Sequence, residues 1–114
     1  MIKLYGVPSC NKIRDAKVIL GKNHITYLFI NVKKTPLSEA QLEDIVNQLG
    51  IEKVLNKQGL IYKKLGLKQM GLDNTQLFQW LYKEQGMIKR PLFQNNNKFL
   101  IDSNEQKIVE FCKQ

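Results

Sequence analysis

The sequence predicts an α/β fold: a four-stranded mixed sheet with helices packed against it and a helical insertion in its middle. Three observations carry this expectation. A strand, a helix and a second strand succeed one another over residues 2–32, a spacing that calls for a right-handed βαβ unit with parallel strands. Residues 35–86 read as helix after helix with no strand between them. Residues 92–101 read as two short apolar runs around an asparagine-rich turn, which is the pattern of an antiparallel hairpin, and one last helix follows.

Each element has a local reason. Ile2 to Gly6 is a β-branched and aromatic run ended by the breaker stretch Val7-Pro8-Ser9. From Asn11, Ile13, Ala16 and Leu20 share one helical face, and Gly21 is the expected stop. Ile25 to Val32 is the second strand. Thr35-Pro36-Leu37 breaks the chain, and Ser38 with Gln41 forms a capping box ahead of Leu42, Ile45, Val46 and Leu49, with Gly50 as terminator. Ile51 to Asn56 and Ile61 to Leu65 read as short helices separated by Gly59. Asp73 or Asn74 caps another that carries Leu77, Phe78 and Leu81 and ends at Gly86. Leu92 to Gln94, the turn Asn95-Asn96-Asn97 and Phe99 to Ile101 make the hairpin. Glu105 to Cys112 is the closing helix.

The 114 residues make one domain, 1–114, whose core comes from 1–34 and 87–114 and whose insertion spans 35–86. At 43% hydrophobic and 25% charged the composition is that of a folded chain. No apolar run approaches the ~20 residues of a membrane span, and the first residues lack a signal segment, so the expected setting is cytoplasmic with no membrane partner. The net charge of +8 admits anionic partners but says nothing of fold. Lys3, Lys22, Lys33, Lys34, Lys63, Lys64 and Lys107 are dispersed, so no motif supports direct nucleic-acid binding.

Cys10 and Cys112, at opposite ends of the chain, form neither a metal-ligand spacing nor a disulfide framework. No metal site is expected. Cys10 follows a strand and turn and opens a helix, where the dipole and unpaired amides favour a thiolate. Arg14 lies one turn on, and Lys12 adds a further charge. The competing reading is a structural cysteine at a strand–helix junction. Cys112 shares a stripe with Ile108 and Val109 and reads as packing, and His24, the only histidine, reads as a solvated loop residue. Arg90-Pro91 alone suits an ordinary trans proline starting a strand beside a solvated arginine, although an X-Pro bond at such a turn can also be held cis.

Together, Tyr5-Gly6-Val7-Pro8-Ser9-Cys10 with Arg14, Val54-Leu55-Asn56-Lys57-Gln58-Gly59 followed by Tyr62-Lys63-Lys64-Leu65-Gly66-Leu67, and Ile88-Lys89-Arg90-Pro91-Leu92 resemble the ArsC/Spx/YffB family. That family holds glutaredoxin-coupled arsenate reductases, Spx-type transcription regulators and YffB-like thiol reductases. The resemblance implies a thioredoxin-like fold in which Pro91 is cis and faces the cysteine. It also implies Cys10, Arg14 and Arg90 as catalytic residues. Spx-type regulators usually carry C-x-x-C, whereas Ile13 stands in the second cysteine's place. Arsenate reductases use an H-x3-C-x3-R loop and two further arginines. Here Gly6 replaces the histidine, Asn56 replaces the first arginine with Lys57 beside it, and the last falls near Ile101-Asp102. Two lost guanidinium contacts, each worth ~1.5–3 kcal/mol, imply weak arsenate binding.

The pattern is closest to the single-cysteine, YffB-like members. It implies a thiol reductase with no bound cofactor, coupled to glutathione or glutaredoxin, whose glutathione carboxylates and peptide would meet Lys12, Asn56, Lys57 and Pro91. The alternative is an Spx-like regulator that binds the RNA polymerase α subunit without catalysis. Gly50 matches a glycine that resemblance links to polymerase contact, and it equally suits a helix C-terminus.

Overall fold

A computed structural model describes all 114 residues and contains one sheet of order β2-β1-β3-β4. β1 (Ile2–Gly6) pairs in parallel with β2 (Tyr27–Asn31), and antiparallel with β3 (Leu92–Asn95), which pairs antiparallel with β4 (Lys98–Ile101). The sheet is mixed, as the sequence implies. Alternation along the strands divides the core between its two faces. Leu4 and Phe93 face α1 (Asn11–Lys22) and α6 (Glu105–Cys112), joining Ile13, Ala16, Leu20, Ile108 and Phe111. Tyr5 and Leu92 face the other way, into the larger cluster built with α2 (Glu39–Leu49), α3 (Ile51–Val54), α4 (Leu60–Lys64) and α5 (Asn74–Lys83). The buried Tyr5 ring sends its hydroxyl to Gln94 Oε1, and burial pushes that phenol up from its ordinary value.

Several boundaries differ from the sequence expectation, each for a tertiary or capping reason. α1 runs through Gly21, where an added Cβ would meet nothing, and the left-handed residue that ends it is His24 at φ 57°. Ile25 N–H donates back to Leu20 O at 2.9 Å, so Ile25 closes the helix and β2 begins two residues later than expected. α3 stops at Val54 instead of Asn56 because Leu55 forms a bridge with Ile88. In the same ladder Asn56 N–H donates to Met87 O at 2.8 Å and Lys89 N–H to Val54 O at 2.7 Å.

α5 ends three residues before Gly86, and Gln85–Met87 turns instead as a 3₁₀ segment. There the buried Gln85 amide donates to Leu37 O and accepts from Leu37 N–H, pinning the segment that leads into α2. A second 3₁₀ turn, Leu67–Met70, was not foreseen from the sequence. The hairpin turn is two residues, Asn96-Asn97, with Asn96 at φ 56° and Asn95 inside β3. The capping box at Ser38 and the span of α6 are as the sequence dictates; of the two caps open for α5, the structure takes Asp73, which adds a capping box with Gln76. Gly50, at φ 89°, joins α2 to α3.

Candidate active site

β1 delivers the chain to Gly6, and a turn closed by Cys10 N–H on Val7 O (3.2 Å) brings Cys10 to the N-cap of α1. Its backbone is extended (φ −84°, ψ 128°), and its carbonyl accepts from the amides of Ile13 and Arg14 at 3.1 and 3.2 Å. The residue is half-buried and packs against both core clusters. Four helices have eight residues or more, and three of them start on an oxygen-bearing side chain that accepts from the third amide: Ser38, Asp73 and Asn104. α1 has no side-chain cap, so the amides that open it are not spent on a neighbouring side chain. An anion placed there meets unpaired N–H groups and the positive end of a helix of 12 residues.

The floor of this loop is a single packing unit. Ile13 is fully buried, and a Cβ on Gly6 would overlap Ile13 Cδ1. The two departures at positions 6 and 13 are thus one feature: the isoleucine fills the space that a side chain at 6 would need. The stem of Arg90 lies over the same glycine, its Cδ 3.8 Å from that Cβ position. The Tyr5–Leu92 register sets Pro91 opposite Gly6, and the Arg90-Pro91 bond is cis. Sequence reasoning on that dipeptide alone favoured trans; the resemblance supplied the right isomer.

The other cations are more engaged than the sequence suggests. Arg14 Nη2 donates to Asn11 Oδ1 on the first turn of its own helix. Lys12 pairs with Asp102 at 3.3 Å, and the two line a shallow cleft of about 150 Å³ together with Pro91. Lys57 pairs with Glu52 at 2.8 Å, and the hydrogen bond to Glu52, above all, holds its proton more firmly than usual. Asn56 is turned onto its own loop, its Oδ1 accepting from Gln58 N–H at 3.2 Å. Asn56 nevertheless ends the strand-like segment that pairs with residues 87–89, immediately before Arg90, and Lys57 opens the turn after it.

Cys112 is far from all of this. It shares a crevice with Met1, Ile2 and His24, at the start of β1, whereas Cys10 lies beyond the end of that strand. Five residues of strand separate these ends, roughly 16 Å, and a disulfide needs Cα atoms within about 7 Å. Burial pushes the Cys112 thiol above its ordinary 9.0.

A half-buried cysteine on an uncapped helix, with a cis proline set opposite Gly6 at the same end of a mixed sheet, defines a thioredoxin-like α/β protein. A sequence model of the ArsC family matches residues 5–111, and the chain belongs to that family. Its curated relatives include the global transcriptional regulators Spx 1 of Bacillus cereus, 26% identical over 97% of this chain and 86% of the relative, and Spx of Listeria innocua, 27% identical over the same shares. Among solved structures, a YffB protein superposes with a TM-score of 0.89 at 22% identity, covering 98% of this chain and 99% of that one. A putative arsenate reductase from Yersinia pestis superposes at 0.81 with 26% identity over 96% of this chain and 99% of that one.

Proposed function

We propose that this chain is a thiol-disulfide oxidoreductase that uses Cys10 as its only nucleophile and glutathione as co-substrate. The observation that carries this reading is the missing side-chain cap on α1, which leaves the first amides of the helix beside Cys10 without a side-chain acceptor. The thiolate attacks the glutathione sulfur of a glutathionylated substrate; the S–S bond breaks and the substrate thiolate leaves and takes a proton from water. A second glutathione thiolate then attacks the Cys10–glutathione disulfide, releasing oxidised glutathione and restoring the thiolate. Glutaredoxin can replace glutathione in that last exchange. Arg14 and Arg90 supply positive charge at the site, and the backbone beside Pro91 offers pairing groups to the glutathione peptide. A disulfide substrate suits the site better than arsenate does, because Asp102 brings a carboxylate to the cleft that holds Pro91.

Intact-mass measurement after treatment with oxidised glutathione tests the proposal. One adduct is expected on the wild type and on Cys112→Ser, and none on Cys10→Ser. An adduct that persists in Cys10→Ser, or that moves to Cys112, defeats it.

The regulator relatives favour a second reading, in which the chain acts as a transcription regulator of the Spx type on the RNA polymerase α subunit. An added Cβ at Gly50 meets nothing, so the position is open to a partner, yet its φ of 89° already requires glycine for the backbone. A pull-down with the α C-terminal domain, run beside Gly50→Arg with its melting temperature recorded, separates the two demands. Capture by the wild type and loss in a folded Gly50→Arg supports the regulator; no capture by the wild type removes it.

A further inference from the structure

Away from Cys10, a crevice of about 380 Å³ opens between the loop after α3, the helix α4 and the turn Leu67–Met70. Its walls are Lys57, Gln58, Tyr62, Lys63, Lys68 and Gln69, without a single acid. The protein makes three ion pairs, Lys12–Asp102, Lys22–Glu105 and Lys57–Glu52. Lys57 is therefore neutralised at the rim, while Lys63 and Lys68 are left as two uncompensated ammonium groups.

Tyr62 supplies a second, independent observation. Only 7% of it is exposed, and its hydroxyl has no hydrogen-bond partner in the protein. No buried side-chain polar atom is left unsatisfied, so the hydroxyl is reached by solvent, and the crevice it lines is where it opens. A tyrosine buried to its tip, with the tip offered to a lysine-lined crevice, is a donor waiting for an acceptor.

We propose that this crevice binds the phosphate of a small phosphomonoester. Two unpaired ammonium groups match a charge of about −1.5 to −2. Lysines bind phosphate as point charges, without the planar fork that favours a carboxylate. The Tyr62 hydroxyl and the side-chain carboxamides of Gln58 and Gln69 provide donors from several directions for a tetrahedral group. The volume falls within the ~300–1,000 Å³ range of small-molecule sites and leaves room for the organic part of the ester. The site does not depend on Cys10.

NMR titration of the nitrogen-15-labelled chain with phenyl phosphate tests it, with inorganic phosphate and succinate as companion probes. Saturable shifts confined to the amides of residues 57–69 are expected, in wild type and Cys10→Ser alike. Tyr62→Phe should weaken phenyl phosphate about tenfold, the loss of one hydrogen bond to a charged group. The pair Lys63→Gln and Lys68→Gln should weaken it at least about tenfold, whereas Lys98→Gln with Lys107→Gln, which removes the same charge elsewhere, should leave it unchanged. Binding should also fall as the pH drops through about 6, where the ester loses half its second charge. Succinate binding as tightly as phenyl phosphate, equal weakening by the control pair, or the absence of saturable shifts would each overturn the proposal.

Discussion

The two cysteines occupy opposite ends of β1 and have opposite surroundings. At one end Cys10 sits above a closely packed floor, Gly6 against Ile13, and in front of amides that no side chain claims. At the other, Cys112 lies in the last turn of α6, where burial resists ionisation and no helix start faces it. The same side chain is placed at an uncapped helix start or in a packed last turn by position alone. A thiol count does not distinguish them; the backbone does.

Three perturbations can break or sharpen that contrast. The largest effect is expected from the floor. Gly6→Ala should cost ~1–3 kcal/mol by overpacking, and Ile13→Ala ~2–5 kcal/mol by leaving a cavity. The double variant should cost clearly less than the sum, because each change relieves the other. Urea denaturation reads all three, and strict additivity would mean that the two residues are not one unit.

The next effect comes from the caps. Cys10→Ser should stabilise the fold by about 1 kcal/mol by giving α1 the side-chain acceptor it lacks, while Asp73→Ala should cost about the same at α5. A Cys10→Ser chain no more stable than wild type would show that the amides of α1 are already occupied.

The smallest effect concerns pH. Desolvation raises the Cys112 thiol, so the native state favours the neutral form; that stability is present below 9.0 and is lost as the pH rises through the higher native value. With much of the group still solvated, the loss should be less than about 1 kcal/mol. Denaturation midpoints at neutral and strongly alkaline pH, compared with Cys112→Ala, measure it. An equal alkaline loss in both chains would place its origin elsewhere.

Local chemistry was legible in the residues. Ser38 with Gln41 announces α2, Asp73 is the cap of α5, and the stripe ending in Cys112 outlines α6 within its true bounds. What was hidden depends on long-range partners. Nothing near Leu55 signals that Ile88 will end α3, and nothing near Lys12 signals Asp102, 90 positions away. Gly21 misleads because a glycine can be carried through a helix at a cost of ~1 kcal/mol when a later residue, here His24, takes the left-handed turn. Tyr62 belongs to the family pattern, yet its place in the wall of a crevice depends on how α4 meets the following turn.

The ladder between residues 54–56 and 87–89 has a mechanical consequence. Its last rung ends at Lys89, next to the arginine whose stem overlies Gly6. The helices between β2 and β3 are thereby moored by main-chain bonds to the end of the sheet that carries Cys10, and only a change that removes a backbone N–H, such as Asn56→Pro, cuts a rung. A shift of those helices is therefore passed along the main chain to Lys89 and to Arg90 beside it.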